Sequence, residues 1–375
     1  MPRLELVRET TIRKTGRVIQ IGSLFDVAPE SGHRVEWDIN VPIEEKPWTV
    51  GLIVGPSGTG KTTIARELFG DRVVTGFDWP ADKCIVDAFP DDMATDTASG
   101  FLSAVGFGSV PQWLRPFHVL STGQQFRATL ARSLAENPGL VCVDEFTSVV
   151  DRQVAQVCAA AVSRAVRRME GRQFVAVTCH YDVEPWLDPD WVLDLGDIDH
   201  PFVWRSLRGR PPLEITLARA TPAAWDIFSP HHYLTSKHPA GTVMYVAAVD
   251  DRPVAFVSVA KDFLRARSNP NGWRLCRSVA LPEWQGLGIG MALREYVAGC
   301  LRAHGSTVTT ATAHAGLIKA MTRSPSWRCV RGAGTISAAS GKKTRNYKGG
   351  ATDVRPTASF RYVGPPVPEG PVGWP

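Results

Sequence analysis

The stretch that most restricts the fold is "WTVGLIVGPSGTGKTTIARELFG", residues 48–70. An apolar run of strand length enters a loop of G-x-x-x-x-G-K-[ST] form and leaves it as a helix. In such a loop Gly55, Gly58 and Gly60 let backbone N–H groups curl around a phosphate, with Ser57 at its tip. Lys61 reaches the β/γ-phosphates, Thr62 offers a hydroxyl to Mg²⁺, and Thr63 continues the helix whose N-terminal dipole favours the anion. This unit needs a buried sheet behind it, so the chain must build an α/β layer structure with a nucleotide at one sheet edge.

The flanking pattern agrees. "STGQQFRATLARSLAENPG" reads as a helix with Ser121 as N-cap, "LVCVDEF" as a buried strand, 152–169 as a helix and "QFVAVTCHY" as a buried strand. This β/α alternation predicts a mainly parallel sheet. Upstream, "RVIQIGSLFDVA" and "HRVEWDINV" alternate apolar and polar residues and read as antiparallel strands. A length of 375 residues exceeds one ordinary core. The pattern decays into charged, Pro-rich sequence near 207–220, which predicts one domain at 1–210, a second at 211–362 and a loosely held Pro/Gly tail at 363–375. No apolar run reaches the roughly 20 residues of a membrane span. No signal peptide is read at the start, and the seven cysteines are scattered singly. The expectation is a cytoplasmic protein without a disulfide framework or structural zinc.

Three further segments specify the nucleotide site. "LSTGQQ" at 120–125 precedes "LVCVDEFTSVVD", and "VTCHYD" follows. With the first loop, this set resembles the ATP-binding-cassette (ABC) ATPases over roughly residues 15–205. The resemblance implies that Ser121, Gly123 and Gln124 form the signature that completes a partner copy's site, with Thr122 in place of the usual first glycine. Asp144 would hold Mg²⁺, Glu145 would polarise the attacking water, and His180 would sense the γ-phosphate. Ser148–Asp151 matches the loop that follows. Gln112 is the candidate glutamine contacting Mg²⁺ and nucleotide, only about eight residues before the signature. Such proximity implies a shortened helical arm, the part on which a transporter ATPase docks its membrane partner. Phe25 is a candidate for adenine stacking, with core packing as its alternative. One cassette supplies half a composite site twice over, so an ATP-dependent homodimer is expected.

A second glycine loop, "RSVALPEWQGLGIGMAL", has Q-x-x-G-x-G form at Gln285, Gly286, Gly288 and Gly290, between a strand and the helix predicted over 290–304. No acidic partner of a dinucleotide fold follows it. It resembles the pyrophosphate turn of the GNAT acyltransferases, which implies a mixed α+β second domain, an acetyl-CoA or related acyl-CoA donor, and acid–base groups near its cleft. His231, His232, Tyr233, Glu283 and Ser326 are the candidates, with His232 and Tyr233 foremost. "HHYL" at 231–234 is similar to the phage Mom-type DNA modification enzymes; a packed aromatic cluster is the alternative. Tyr347 and Tyr362 do not occupy the family's usual catalytic position after the last helix. Residues 321–362 carry nine Lys or Arg against the single acid Asp353. Arg323, Arg328 and Arg331 around Trp327 suit phosphates and stacked bases, which makes DNA or RNA a candidate partner. A small amine or protein acceptor, and a non-catalytic binding module, stay open.

Overall fold

A computed structural model describes residues 3–197, 199–232, 238–262, 271–332, 357–368 and 370. The chain begins with an antiparallel pair, β1 (Arg3–Thr11) and β2 (Gly32–Asn40), separated by helix α1 (Gly16–Phe25). This helix replaces the strand expected over 17–28. Thr15 Oγ1 accepts from Val18 N at 3.5 Å and Asp26, in the left-handed region at φ 54°, closes the other end. Val18, Ile21 and Phe25 stand at helical spacing (i, i+3, i+7), a period that local alternation at Ile19–Ile21 hides.

The nucleotide-loop strand β3 (Val50–Val54) is buried throughout and leads to α2 (Lys61–Phe69), closed by Gly70, and to β4 (Val73–Val74). Then come α3 (Thr95–Ala104), α4 (Val110–Trp113), α5 (Thr122–Glu136), β5 (Leu140–Val143), α6 (Arg152–Val166) and β6 (Gln173–Thr178). After these come α7 (Glu184–Leu187), β7 (Trp191–Asp194) and β8 (Phe202–Trp204). The strands form a six-stranded sheet in the order β4-β5-β6-β3-β7-β8, parallel except for β8. One face packs on α2, the other on α3, α5 and α6.

The second sheet starts at β9 (Thr216–Ala220) and is followed by α8 (Trp225–Phe228), β10 (Val243–Val249), β11 (Arg252–Lys261) and β12 (Gly272–Ala280). After α9 (Ile289–Ala303) come β13 (Thr307–Thr312), α10 (Ala315–Arg323), β14 (Trp327–Arg331) and β15 (Ala358–Tyr362). Seven strands run β14-β15-β13-β12-β11-β10-β9. Among the described strands of this sheet only β12 and β13 pair in parallel, over Gly272–Leu275, and their pairing stops beyond Leu275. The β10–β11 turn places Asp250 and Asp251 at φ 48° and 61°, the handedness that a tight hairpin needs.

The two halves share a core: Val157 and Ala160 of α6 lie in the same buried cluster as Leu287, Ile289 and Leu293 of the C-terminal half. Residues just past β15 are packed rather than loose. Val367 N donates to Gly299 O at 3.0 Å, Arg302 Nη1 donates to Gly364 O at 2.7 Å, and a Cβ at Gly299 would strike Val367. Residues 371–375 lie outside the described residues.

Candidate functional site

Strand order explains the first site. Sheet pairing sets Val54 opposite Thr178 and Val143 opposite Ala176, so the loop after β3, the acidic pair after β5 and His180 after β6 leave one sheet edge side by side. Within the loop Lys61 Nζ donates to Pro56 O at 2.7 Å, and Thr59 Oγ1 donates to the same carbonyl at 2.9 Å. Gly60 stands at φ 89°, and a Cβ there would come within 2.3 Å of the Trp37 ring. Trp37 Nε1 donates to Thr59 O at 3.1 Å, pinning the loop from β2. Trp37 was not singled out from sequence; its signal was an aromatic on a strand, indistinguishable there from ordinary core.

Asp144 is buried and is held by Asp144 N donating to Val74 O at 3.0 Å, while its Oδ1 accepts from Glu145 N at 2.9 Å. Glu145 is exposed at φ 51°, and its Oε2 accepts from Ser148 Oγ at 2.5 Å. Thr147 is also left-handed, at φ 67°, with its hydroxyl buried and unpartnered among the described residues. His180 N donates to Thr178 Oγ1 at 3.2 Å. The set fits Mg²⁺ with a nucleotide: hard oxygens at Thr62 and Asp144, and a loop whose Gly58 and Gly60 take positive φ.

Ser121 caps α5, with Ser121 N donating to Gln124 Oε1 at 3.2 Å in a capping box. Ser121 and Thr122 are exposed, and Gly123 packs against Val154. Gln112 sits in α4, where Gln112 N donates to Ser109 O at 2.9 Å and Gln112 O accepts from Arg115 N at 3.2 Å. Helices α3 and α4 stand between β4 and the signature, and Gln112 lies within α4, so the segment from Gln112 to the signature is short, as its spacing implies. Phe25 is 67% exposed, against the core-packing alternative.

The second turn divides in two. Gln285 Oε1 accepts from Gly108 N at 2.7 Å and Gln285 Nε2 donates to Ala280 O at 2.8 Å, so both ends of its amide are engaged. Gly286 abuts Ala161 and Gly106. Buried Arg127 of α5 donates to Gly106 O (2.6 Å), Gln285 O (2.9 Å) and Glu283 O (3.2 Å). The expected ligand residues Gln285 and Gly286 are therefore interface residues, facing the N-terminal half. Gly288 remains exposed, and a Cβ at Gly290 would meet open space. His314 adds a pin: its Nδ1 accepts from Leu317 N at 3.3 Å, so the protonated Nε2 donates to Gly108 O at 3.2 Å. Burial pulls its pKa down.

Among the acid–base candidates, His232 is buried edge-on to Trp225 at 5.5 Å. Burial, with Arg277, His238 and His314 nearby, pulls its pKa down to about 4. Tyr233 and Tyr347 lie outside the described residues. His238, not singled out from sequence, bonds Ser258 Oγ through Nε2 at 3.0 Å and Thr242 Oγ1 through Nδ1 at 3.1 Å. Trp327 is buried, 5.2 Å edge-on from Tyr362, and is not available to stack on bases.

No protein-family model matches the chain. The Fe(3+) ions import ATP-binding protein FbpC 2 of Pectobacterium atrosepticum is 31% identical over 156 residues, 32% of this chain and 44% of that protein. The zinc import ATP-binding protein ZnuC of Pseudomonas syringae is 30% identical over 142 residues, 32% of this chain and 53% of its own. The chain thus spans about half the length of the curated relatives it matches, or less. A dimeric ATP-binding cassette bound to ADP and Pi aligns with 54% of this chain and 100% of its own, at 17% identity and TM-score 0.36. The motif set and the two curated relatives support an ABC-type ATP-binding domain in the N-terminal half. Among the described residues no helix is long and apolar enough to cross a membrane.

Proposed function

We propose that the N-terminal half binds and hydrolyses ATP with Mg²⁺ between two copies of the chain, and that the C-terminal half, from about residue 211, is a GNAT-like N-acyltransferase acting on nucleic acid. The observation that carries the first part is the common sheet edge of the Gly55–Thr63 loop, Asp144–Glu145 and His180. Mg·ATP supplies the phosphoryl group and the charge that neutralises its transfer. Lys61 would exchange the Pro56 carbonyl for β/γ-phosphate oxygens, and Thr62 and Asp144 would hold the metal. Glu145 would orient water and take its proton, with His180 donating toward the γ-phosphate. Ser121 and Gly123, at a solvent-facing helix start, would meet the nucleotide of a partner copy.

The acyltransferase reading is supported by a sheet whose parallel pair, β12 and β13, stops pairing beyond Leu275, ahead of the turn that starts α9. Nucleic acid as acceptor is supported by exposed Arg323, Arg328, Arg331 and Arg361. Arg328 lies directly opposite Arg361, a like-charge pair that a bound anion would relieve. A second reading, energising import through a separate membrane protein, is favoured by the names of the curated relatives. Against it, only about eight residues separate Gln112 from the signature, which leaves a shortened helical arm for such a partner to dock on. The test is Mg-dependent hydrolysis: Lys61→Ala should lose ATP binding. Glu145→Gln should bind ATP yet hydrolyse it about 100-fold or more slowly. Unchanged turnover in Glu145→Gln would refute the assignment.

A further inference from the structure

At the far end of α6 from its Asp151 cap, the Arg164 side chain reaches the second glycine turn. A Cβ at Gly288 would lie 2.9 Å from Arg164 Nη1. Nη2 of the same guanidinium is buried with no hydrogen-bond partner, and no carboxylate acts on Arg164 among the described residues. The charged groups acting on it are instead two further cations, Arg168 and Arg210. A partly desolvated guanidinium facing like charges is costly unless an anion joins it. On the other side of the gap is the start of the fifteen-residue helix α9. Met291 N and Ala292 N both donate to Gly288 O, which leaves Ile289 N and Gly290 N as the orphan donors of that helix end. Glycine is required at 288, where φ is 84° and a side chain would fill the gap.

We infer that Arg164, from the ATP-binding half, completes a pyrophosphate site at Gly288–Gly290 of the other half, so that the acyl-CoA site is built by both halves. This rests on the acyl-CoA reading above and assigns to it a residue that the turn alone does not contain. The interface at Gln285 and Gly286 fixes the turn so that its exposed Gly288 faces the guanidinium, with Gly290 open to solvent beside it. Arg168 and Arg210 add charge that falls off into solvent and would draw the anion in.

The test is titration of the full chain with acetyl-CoA, with inorganic pyrophosphate as competitor, in a Lys61→Ala background that removes the nucleotide loop as a rival phosphate site. Arg164→Gln should weaken acetyl-CoA about 10- to 100-fold and lose pyrophosphate competition, with Arg164→Lys between it and the parent. Gly290→Glu, which meets open space, should also lose binding by placing a carboxylate at the helix start. Thermal melting should show all variants folded. If Gly290→Glu abolishes binding while Arg164→Gln and the parent bind alike, the role of Arg164 is refuted and the acyl-CoA reading survives. If the parent binds neither acetyl-CoA nor pyrophosphate, both fall.

Discussion

At the scale of single residues, buried titratable groups make pH a probe of the fold. His232 is neutral in the folded state, its pKa held near 4 by burial and by neighbouring Arg277. The unfolded chain takes up a proton near pH 6.5, so this contribution is complete above that pH and is lost as pH falls toward 4. Burial depresses His238 and His314 in the same direction. Denaturant midpoints should therefore fall from pH 7 to pH 4.5, and His232→Phe should flatten the profile by up to about 3 kcal/mol; an unaltered slope would show that His232 titrates normally. Trp37 gives a second residue-scale prediction. Removing its indole in Trp37→Ala frees the loop at Thr59 and Gly60, and ATP affinity should drop about tenfold, measured by calorimetry, while the fold persists. Unchanged affinity would leave Trp37 as core only.

At the scale of elements, α5 carries the junction. It begins at the signature Ser121, and Arg127 on its next turn binds three carbonyls, two of them in the other half. Arg127→Ala would strand those carbonyls and should cost about 3 kcal/mol, splitting one thermal transition into two; a single unshifted transition would contradict this. Elements with strong local signals were legible in the sequence: the β3–loop–α2 unit, α5 from its cap, and α9 from its glycine turn. Helix α1 was not, because Ile19–Gln20–Ile21 alternates like a strand while the cap at Thr15 and the left-handed Asp26 decide for helix. Nor were α3 and α4, since their Asp-, Gly- and Pro-rich setting masks short helices. The packed residues after β15 owe their order to Gly299, whose missing side chain admits Val367.

At the scale of the whole molecule, the two glycine loops were readable separately, each from spacing, but their relation was not. Gln285 looks like a ligand in sequence and bonds Gly108 in the fold; Trp327 looks like a stacking surface and is core. No local pattern announces a contact between residues 177 apart in the chain. That contact puts the second turn against the segment carrying Gly106–Ser109 and against α5. Any shift of the signature helix on nucleotide binding must therefore be felt at Gln285, and by linkage acyl-CoA and ATP should alter each other's affinity reciprocally. Measuring each Kd in the presence of the other ligand checks this; equal values would show uncoupled halves. The central claim is an ATP site completed only by a second copy, and sedimentation of Glu145→Gln with and without Mg·ATP tests it most directly. A dimer is expected with Mg·ATP, reverting to monomer without it or when Ser121→Arg blocks the signature. A monomer that binds Mg·ATP at every concentration tested would contradict it.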